Sequence, residues 1–460
     1  MRVGVIGTGH VGLVAAATFA EIGHQVVGAD ADAEKVELLS RGTPTFYEPG
    51  LADLLRVNAS NGRLSFTSDI AQAVSAAEVV FVCVGTPAKV SGEANLVAVE
   101  RAVREVARHA EDDLVLVQKS TVPAGTAIRV RQAIRVQNAR AARRVDVVSN
   151  PEFLREGRAI EDSLKPDRIL VGAESDHAFH QMRRLYRPLI DNGCTYIETD
   201  VKTAELAKHA SNAFLALKIS FANALARVCE LAGADVVSVA DIMGSDPRIG
   251  RAFLDAGLGF GGYCFPKDIQ AFERLAAQLG YDFGLLREIT RINDEAIDAT
   301  VEKITDGLWN LEDKRVALLG LAFKPGTDDV RFAPPIVLAR RLLEEGAQVV
   351  GYDPQAASNA KDDLPALEIA SDAYEAATGA HCLVICTEWL EFRTLDLDRL
   401  AGVMAYPLVV DGRNMFSPAA MSRAGLSYFP TGRPASPWVP HGEASEQRRD
   451  SNDAVFNSPR

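Results

Sequence analysis

Met1-Arg2-Val3-Gly4-Val5-Ile6-Gly7-Thr8-Gly9-His10-Val11-Gly12-Leu13 opens the chain, and its reading decides the fold. Arg2 to Ile6 is a short β-rich run, Gly7 to Gly12 is a GxGxxG loop, and the apolar stretch from Val11 to Gly23 has the composition of a helix. A strand feeding a helix through this loop is the context that gives the motif meaning. The first glycine permits the tight turn, the second lets backbone approach a pyrophosphate, and the third lets the helix pack close to the sheet. The helix then aims unpaired N–H groups at the phosphates. Asp30 ends the next predicted strand, eighteen residues after Gly12. A carboxylate there accepts hydrogen bonds from ribose hydroxyls and repels a 2′-phosphate, so NAD is expected rather than NADP. The plain alternative is a turn that binds nothing; strand, loop, helix and acid together weigh against it.

Working outward, EVVFVCVGTP, DLVLVQKST and VDVVSNPEF are further short apolar runs closed by turn residues. Such runs suit strands buried on both faces of a parallel sheet, and their alternation with helices predicts a doubly wound α/β domain over residues 1–200. From Thr203 the pattern turns helical and holds to Gly233, a reasonable helix end. More helical segments follow, which places a helical middle domain over 201–300. At Lys314 the strand-and-loop logic restarts with KRVALLGLAFKPGTDD, followed by EEGAQVVGYDP, HCLVICTEW and PLVVDGRNMF. A second α/β domain is expected over 301–430. Residues 431–460 are poor in apolar side chains and rich in Pro, Ser, Asp and Arg, and are expected to form a disordered tail.

A net charge of −13 excludes nucleic-acid binding by bulk electrostatics, which needs clustered Lys and Arg. No apolar run has the roughly 18 residues that span a bilayer. The first residues lack the parts of a signal peptide and read as a working strand and loop. The six cysteines are scattered, as befits free thiols in a reducing compartment, so a cytoplasmic home is expected. Cys382 and Cys386 lie in an apolar strand with no second pair, and no metal site is expected.

The most unusual segment is Gly257-Leu258-Gly259-Phe260-Gly261-Gly262-Tyr263-Cys264-Phe265-Pro266-Lys267-Asp268. Glycines let backbone approach a ligand. A nearby cation lowers a thiol pKa, and Lys267 is expected to do so for Cys264, with Asp268 moving protons. A lone buried cysteine behaving as a small hydrophobe is the bland alternative. Glu152 and Glu156 follow a strand in NPEFLREG, as a general base or as solvated turn residues. Lys208 and Asn212 share a face of the long helix. That face is expected to be otherwise mostly apolar. An ammonium and an amide there can hold a developing alkoxide, or the lysine can simply snorkel to the edge. Thr86 and Thr121 lie in strand-end loops, where small hydroxyls suit a cofactor edge or plain turn chemistry.

Together, VGVIGTGHVGL, KSTVPAGT, SNPEFLREG, ELAKHASNAFLALKISFANAL, FLDAGLGFGGYCFPKD, GLAFKPGTDDVR and DGRN make the chain resemble the UDP-glucose 6-dehydrogenases within the UDP-glucose/GDP-mannose dehydrogenase family. The likeness spans residues 1–430. It implies two Rossmann-like domains joined by a long central helix, a homodimer through the helical middle, and oxidation of a sugar alcohol to an acid with one NAD for each oxidation. Carried onto this chain, Cys264 forms a thiohemiacetal and then a thioester. Lys208 and Asn212 steady the oxyanion, and Glu152 and Asp268 handle protons, with Thr121 beside them. The resemblance implies cofactor contacts at Gly7, Gly9, His10, Val11, Gly12, Asp30, Lys35, Thr86, Thr121, Glu156, Lys267 and Arg331. It implies substrate contacts at Glu152, Phe153, Leu154, Lys208, Asn212, Arg248, Phe253, Gly257, Lys324 and Arg413, with Arg248 reaching a partner subunit's substrate. UDP-glucose is the expected substrate; GDP-mannose or a UDP-N-acetyl sugar is the alternative. Two rival readings are a two-electron hydroxyacid dehydrogenase with a structural Cys264, and a non-catalytic nucleotide-sugar sensor. The sensor predicts a lost catalytic residue, and none is lost.

Overall fold

The structure, a computed structural model, describes residues 1–87, 89, 93–110 and 113–436. Contacts divide the chain into two compact units. Met1–Leu217, Gly261–Thr290 and Gly326–Asp328 form the first; Lys218–Phe260, Arg291–Pro325 and the chain from Asp329 onward form the second. The segment expected as a helical middle, 201–300, is shared between them.

In the first unit, the opening run becomes β1 (Arg2–Ile6) and is followed by a helix, His10–Glu21. Then come β2 (Gln25–Ala29), β3 (Leu64–Thr67), β4 (Val79–Val82), β5 (Leu114–Gln118), β6 (Val145–Ser149), β7 (Arg168–Gly172) and β8 (Thr195–Thr199). The strand order is β3-β2-β1-β4-β5-β6-β7-β8. The first six are parallel; β7 meets β6 antiparallel through Ser149 and Gly172, and β8 runs parallel to β7. β4 and β5 are buried at every residue, as the apolar runs Val79–Val82 and Leu114–Val117 require. Leu13 and Phe19 of the first helix pack with Phe81, Met182 and Leu185 in one core. Each such side chain contributes about 1.5–3 kcal/mol by leaving water.

The second unit repeats the plan with β9 (Arg315–Leu319), β10 (Gln348–Tyr352), β11 (Glu368–Ile369), β12 (Cys382–Ile385), β13 (Leu408–Asp411) and β14 (Ser427–Pro430). Its order is β11-β10-β9-β12-β13-β14, parallel throughout. In each sheet the order reverses beside the first strand, at β1/β4 and at β9/β12. That is the switch point where such sheets bind ligands.

The long helix runs Val201–Ala232 and ends at Gly233, whose φ of 69° only glycine adopts without strain. Ordered chain extends past the expected start of the tail: Ser436 pairs with Tyr428, and Gly432 N–H donates to Glu230 at 2.7 Å. The remainder of the expected tail, 437–460, lies outside the described residues. Among the described residues no helix is long and apolar enough to cross a membrane.

Candidate active site

The loop after β1 fits a dinucleotide by its shape. Gly7 has φ 89°. A methyl group on Gly12 would lie 1.8 Å from the Gly7 carbonyl oxygen, so the third glycine allows the helix to close on the loop. Gly9 is exposed with open space around it, and no side chain caps the helix that begins at His10. The helix N-terminus is therefore free to receive phosphate. Asp30 follows β2 directly. Its Oδ2 accepts from Thr8 N–H and Oγ1–H at 2.8 Å and from Lys35 Nζ at 3.0 Å. Partial burial works against its charge, but these hydrogen bonds prevail and hold its pKa below the ordinary carboxylate value. The carboxylate is thus ionised and oriented. His10 stacks on Phe46 at 4.4 Å, and its Nε2 lies 3.1 Å from Glu48. Thr86 Oγ1 donates to the Thr121 carbonyl at 3.0 Å, which ties the loops after β4 and β5 together.

Deeper in the same unit, a buried chain of charged and polar groups surrounds Cys264. Lys208 Nζ lies 3.1 Å from Glu152 Oε1 and donates to Asn212 Oδ1 at 3.3 Å. Asn212 Nδ2 donates to Asp268 Oδ2 at 2.6 Å, and Lys267 Nζ donates to Asp268 Oδ1 at 2.7 Å. Glu152, Lys208, Asn212, Lys267 and Asp268 are all buried. Burial alone would discharge Lys208, yet Glu152, Asp268 and Cys264 outweigh it and raise its pKa. Asp268 is likewise held ionised against burial by Lys267 and Lys208. Snorkelling is excluded for Lys208, which is only 4% exposed.

The expected role of Lys267 at the thiol is corrected. Its ammonium turns to Asp268, and the cation that acts on Cys264 is Lys208. The thiol is not acidified: burial, and next Glu152, push its pKa up to about 12 against Lys208. Cys264 begins the helix Cys264–Gln278, a placement the glycine-rich spacing did not predict.

The long helix also carries residues the sequence reading missed. Glu205 accepts from Gly125 N–H at 2.5 Å and Ala127 N–H at 3.1 Å, and His209 Nε2 meets the Val122 carbonyl at 3.0 Å. Both are buried. The face expected to be mostly apolar is therefore a polar stripe at 205, 208, 209 and 212. That i, i+3, i+4, i+7 spacing was visible as a signal. Glu48, which accepts from Gly157 and Ala159 N–H, had no such signal within its Pro-Gly turn. Phe153 stacks under the Arg168 guanidinium at 3.9 Å, and Leu154 N–H donates to Glu152 Oε2 at 3.1 Å. Glu156 lies close enough to Cys264 to add to its rise.

In the second unit, Gly257 packs on Gly412 and Arg413. A methyl group on Gly257 would lie 2.6 Å from the Gly412 carbonyl oxygen. Its N–H donates to Asn223 Oδ1 at 2.8 Å. Arg413 Nε donates to the Cys386 carbonyl at 2.7 Å. Phe253 has a left-handed φ of 66°. Lys324 Nζ sits 5.4 Å over Phe323. Arg248 and Arg331 are exposed and pair with Asp246 and Asp329 of their own loops, each at 2.6 Å.

Residues 1–190 match the NAD binding domain of the UDP-glucose/GDP-mannose dehydrogenase family, 202–295 its central domain and 317–418 its UDP binding domain. The UDP-glucose 6-dehydrogenase of Pseudomonas aeruginosa is 44% identical over 445 residues, covering 94% of this chain and 98% of the relative. That of Rhizobium meliloti is 44% identical over 438 residues, covering 94% and 100%. A solved UDP-glucose dehydrogenase from the archaeon Pyrobaculum islandicum matches with TM-score 0.84 at 40% identity, over 89% of this chain and 94% of that one. With the three domains in order along a chain that holds both switch-point sheets, this protein belongs to the UDP-glucose/GDP-mannose dehydrogenase family.

Proposed function

We propose that the chain oxidises UDP-glucose to UDP-glucuronate in two successive NAD-dependent steps through a covalent intermediate on Cys264. The observation that carries this reading is the buried chain Glu152–Lys208–Asn212–Asp268 around a thiol. NAD, held by the Gly7–Gly12 loop and Asp30, supplies the hydride acceptor for both oxidations. The residues do the rest. Lys208, kept cationic, and Asn212 hold the oxygen of the reacting carbon as it gains charge. Cys264 Sγ adds to the aldehyde carbon and gives a thiohemiacetal, whose oxidation leaves a thioester. A thiol with its pKa near 12 must lose its proton as it attacks. Glu152 and Asp268, the two carboxylates that act on it most strongly, are the bases of this reading. Water then releases the acid, with Glu152 as the base. Lys35, Thr86, Thr121, Glu156, Lys267 and Arg331 complete the cofactor set. Phe153, Leu154, Arg248, Phe253, Gly257, Lys324 and Arg413 complete the substrate set.

The identity of the named relatives supports UDP-glucose as the sugar nucleotide. A homodimer through the long helix belongs to the same reading. Phe214, Phe221 and Val228 recur every seven residues along it and are 62%, 48% and 59% exposed. The free cysteines support a reducing, cytoplasmic location.

The test is a substrate panel of UDP-glucose, GDP-mannose and UDP-N-acetyl sugars with NADH counted per turnover. Two NADH per UDP-glucose and the highest kcat/KM on that substrate are expected. One NADH per turnover would sink the four-electron reading. Cys264→Ser should bind NAD and UDP-glucose yet release no acid; undiminished turnover refutes the nucleophile.

A further inference from the structure

Beside Glu152, in the first unit, lies a cavity of about 90 Å³. Lys119, Asn150, Glu152 and Tyr186 give it a polar lining, which also includes Ala15 of the first helix and Ser163 of the short helix Ala159–Leu164. A water needs roughly 10–15 Å³ of such space and two to four polar partners, so the cavity has room for several waters. Its polar wall is organised. Tyr186 Oη–H donates to Asn150 Oδ1 at 2.6 Å, and Lys119 Nζ donates to the same oxygen at 3.1 Å and to the Asn150 carbonyl at 3.4 Å. Asn150 Nδ2 donates to the Leu170 carbonyl at 2.8 Å. Asn150 stands two residues before Glu152, so this network fixes the backbone from which Glu152 projects. None of Lys119, Asn150 and Tyr186 has a part in the chemistry above.

Glu152 is 7% exposed, yet a base that takes a proton in every turnover must return it to solvent. Its Oε1 faces Lys208 and its Oε2 faces Leu154 N–H. Lys119 interacts electrostatically with Glu152 from the cavity wall, while burial pushes its own pKa down.

We infer that this cavity delivers the water that releases the acyl group from Cys264 and carries away the proton that Glu152 takes from it. The inference rests on the proposed thioester and on Glu152 as its hydrolytic base. In the step, water oxygen bonds to the acyl carbon and the carbon–sulfur bond breaks. The sugar acid leaves as a carboxylate, one water proton ends on the Cys264 sulfur, and the other leaves through the cavity. No oxidation occurs in it.

Filling the cavity tests this. Ala15→Leu and Ser163→Leu each add bulk from a different helix, at residues outside the proposed chemistry. Circular dichroism and NAD affinity report whether each variant is folded. Rapid-quench mass spectrometry then follows the adduct on Cys264 during turnover of UDP-glucose. Both variants should accumulate acyl-enzyme, with its decay slowed at least about tenfold and the early NADH burst retained. Ser163→Leu, made at a half-buried helix position, keeps the test open if Ala15→Leu does not fold. Acyl-enzyme decay at the parent rate in a folded variant overturns the inference, as does slower turnover without accumulation. Cys264→Ala separates this from failure of the underlying reading. If that variant still makes acid, the thioester itself is wrong. If it makes none while the filled variants behave as the parent, only the cavity's role falls.

Discussion

Cys264 sits where its own ionisation is opposed. Burial and Glu152 lift the thiol to about 12, and Lys208 works the other way. In the ligand-free protein, alkylation by iodoacetamide should therefore keep accelerating with pH through about 9 to 10, with no plateau near neutrality. A midpoint near pH 7 would contradict the arrangement. Lys208 is the residue on which the site's charge balance turns, because Glu152 and Asp268 both lean on it. Lys208→Met leaves the buried Glu152 without its ion-pair partner and Asp268 with Lys267 alone. Its expected cost is about 3–5 kcal/mol in denaturant unfolding. Loss of its proposed oxyanion contact should also lower kcat by about 10²-fold or more. A Met variant with parental stability would show that the pair contributes nothing.

At the scale of elements, the first helix and its loop are coupled through Gly12. Gly12→Ala places a methyl group against the Gly7 carbonyl oxygen and should cost about 1–3 kcal/mol as the helix moves off the loop. Calorimetric titration should find NAD affinity lost with it; parental affinity would argue against the loop as the phosphate site. The long helix is joined to the Gly125 turn through Glu205, whose carboxyl burial raises to about 7 against hydrogen bonds from Gly125 and Ala127. The folded chain thus holds this proton more tightly than the unfolded one. The stability it contributes is complete below the ordinary glutamate pKa and is lost as pH rises through about 7. Relative to Glu205→Gln, the parent should lose about 3 kcal/mol between pH values near 4.5 and 7.5. Parallel pH profiles for the two proteins would remove Glu205 as the cause.

For the molecule as a whole, ordered chain and the start of the expected tail do not coincide. Gly432 donates to Glu230, Arg433 pairs with Asp235 at 3.1 Å, and Ser436 bonds Tyr428. Truncation after Ser436 should leave Tm within about 2 °C of the parent. Truncation after Pro430 should cost about 2 kcal/mol through the lost hydrogen bonds. Equal melting of the two truncations would show that these contacts add nothing.

Local rules determined much of this protein from its sequence. The short apolar runs named most of the strands, though not β3, β7, β8, β11 or β14, and the glycine spacing with Asp30 pointed to a dinucleotide loop, because these depend on neighbours in the chain. Lys208 and Asn212 were legible as a pair because helical geometry alone puts them on one face. Tertiary structure decided the partners. It turned Lys267 to Asp268 rather than to the thiol, and it set Lys208 between Glu152 and Asp268. It also buried Glu205 and His209 against a loop some eighty residues away in sequence. A side chain's charge and burial depend on what the fold brings beside it from distant segments. The sequence could therefore single out Cys264 as the candidate nucleophile, while only the folded chain showed that burial opposes its ionisation.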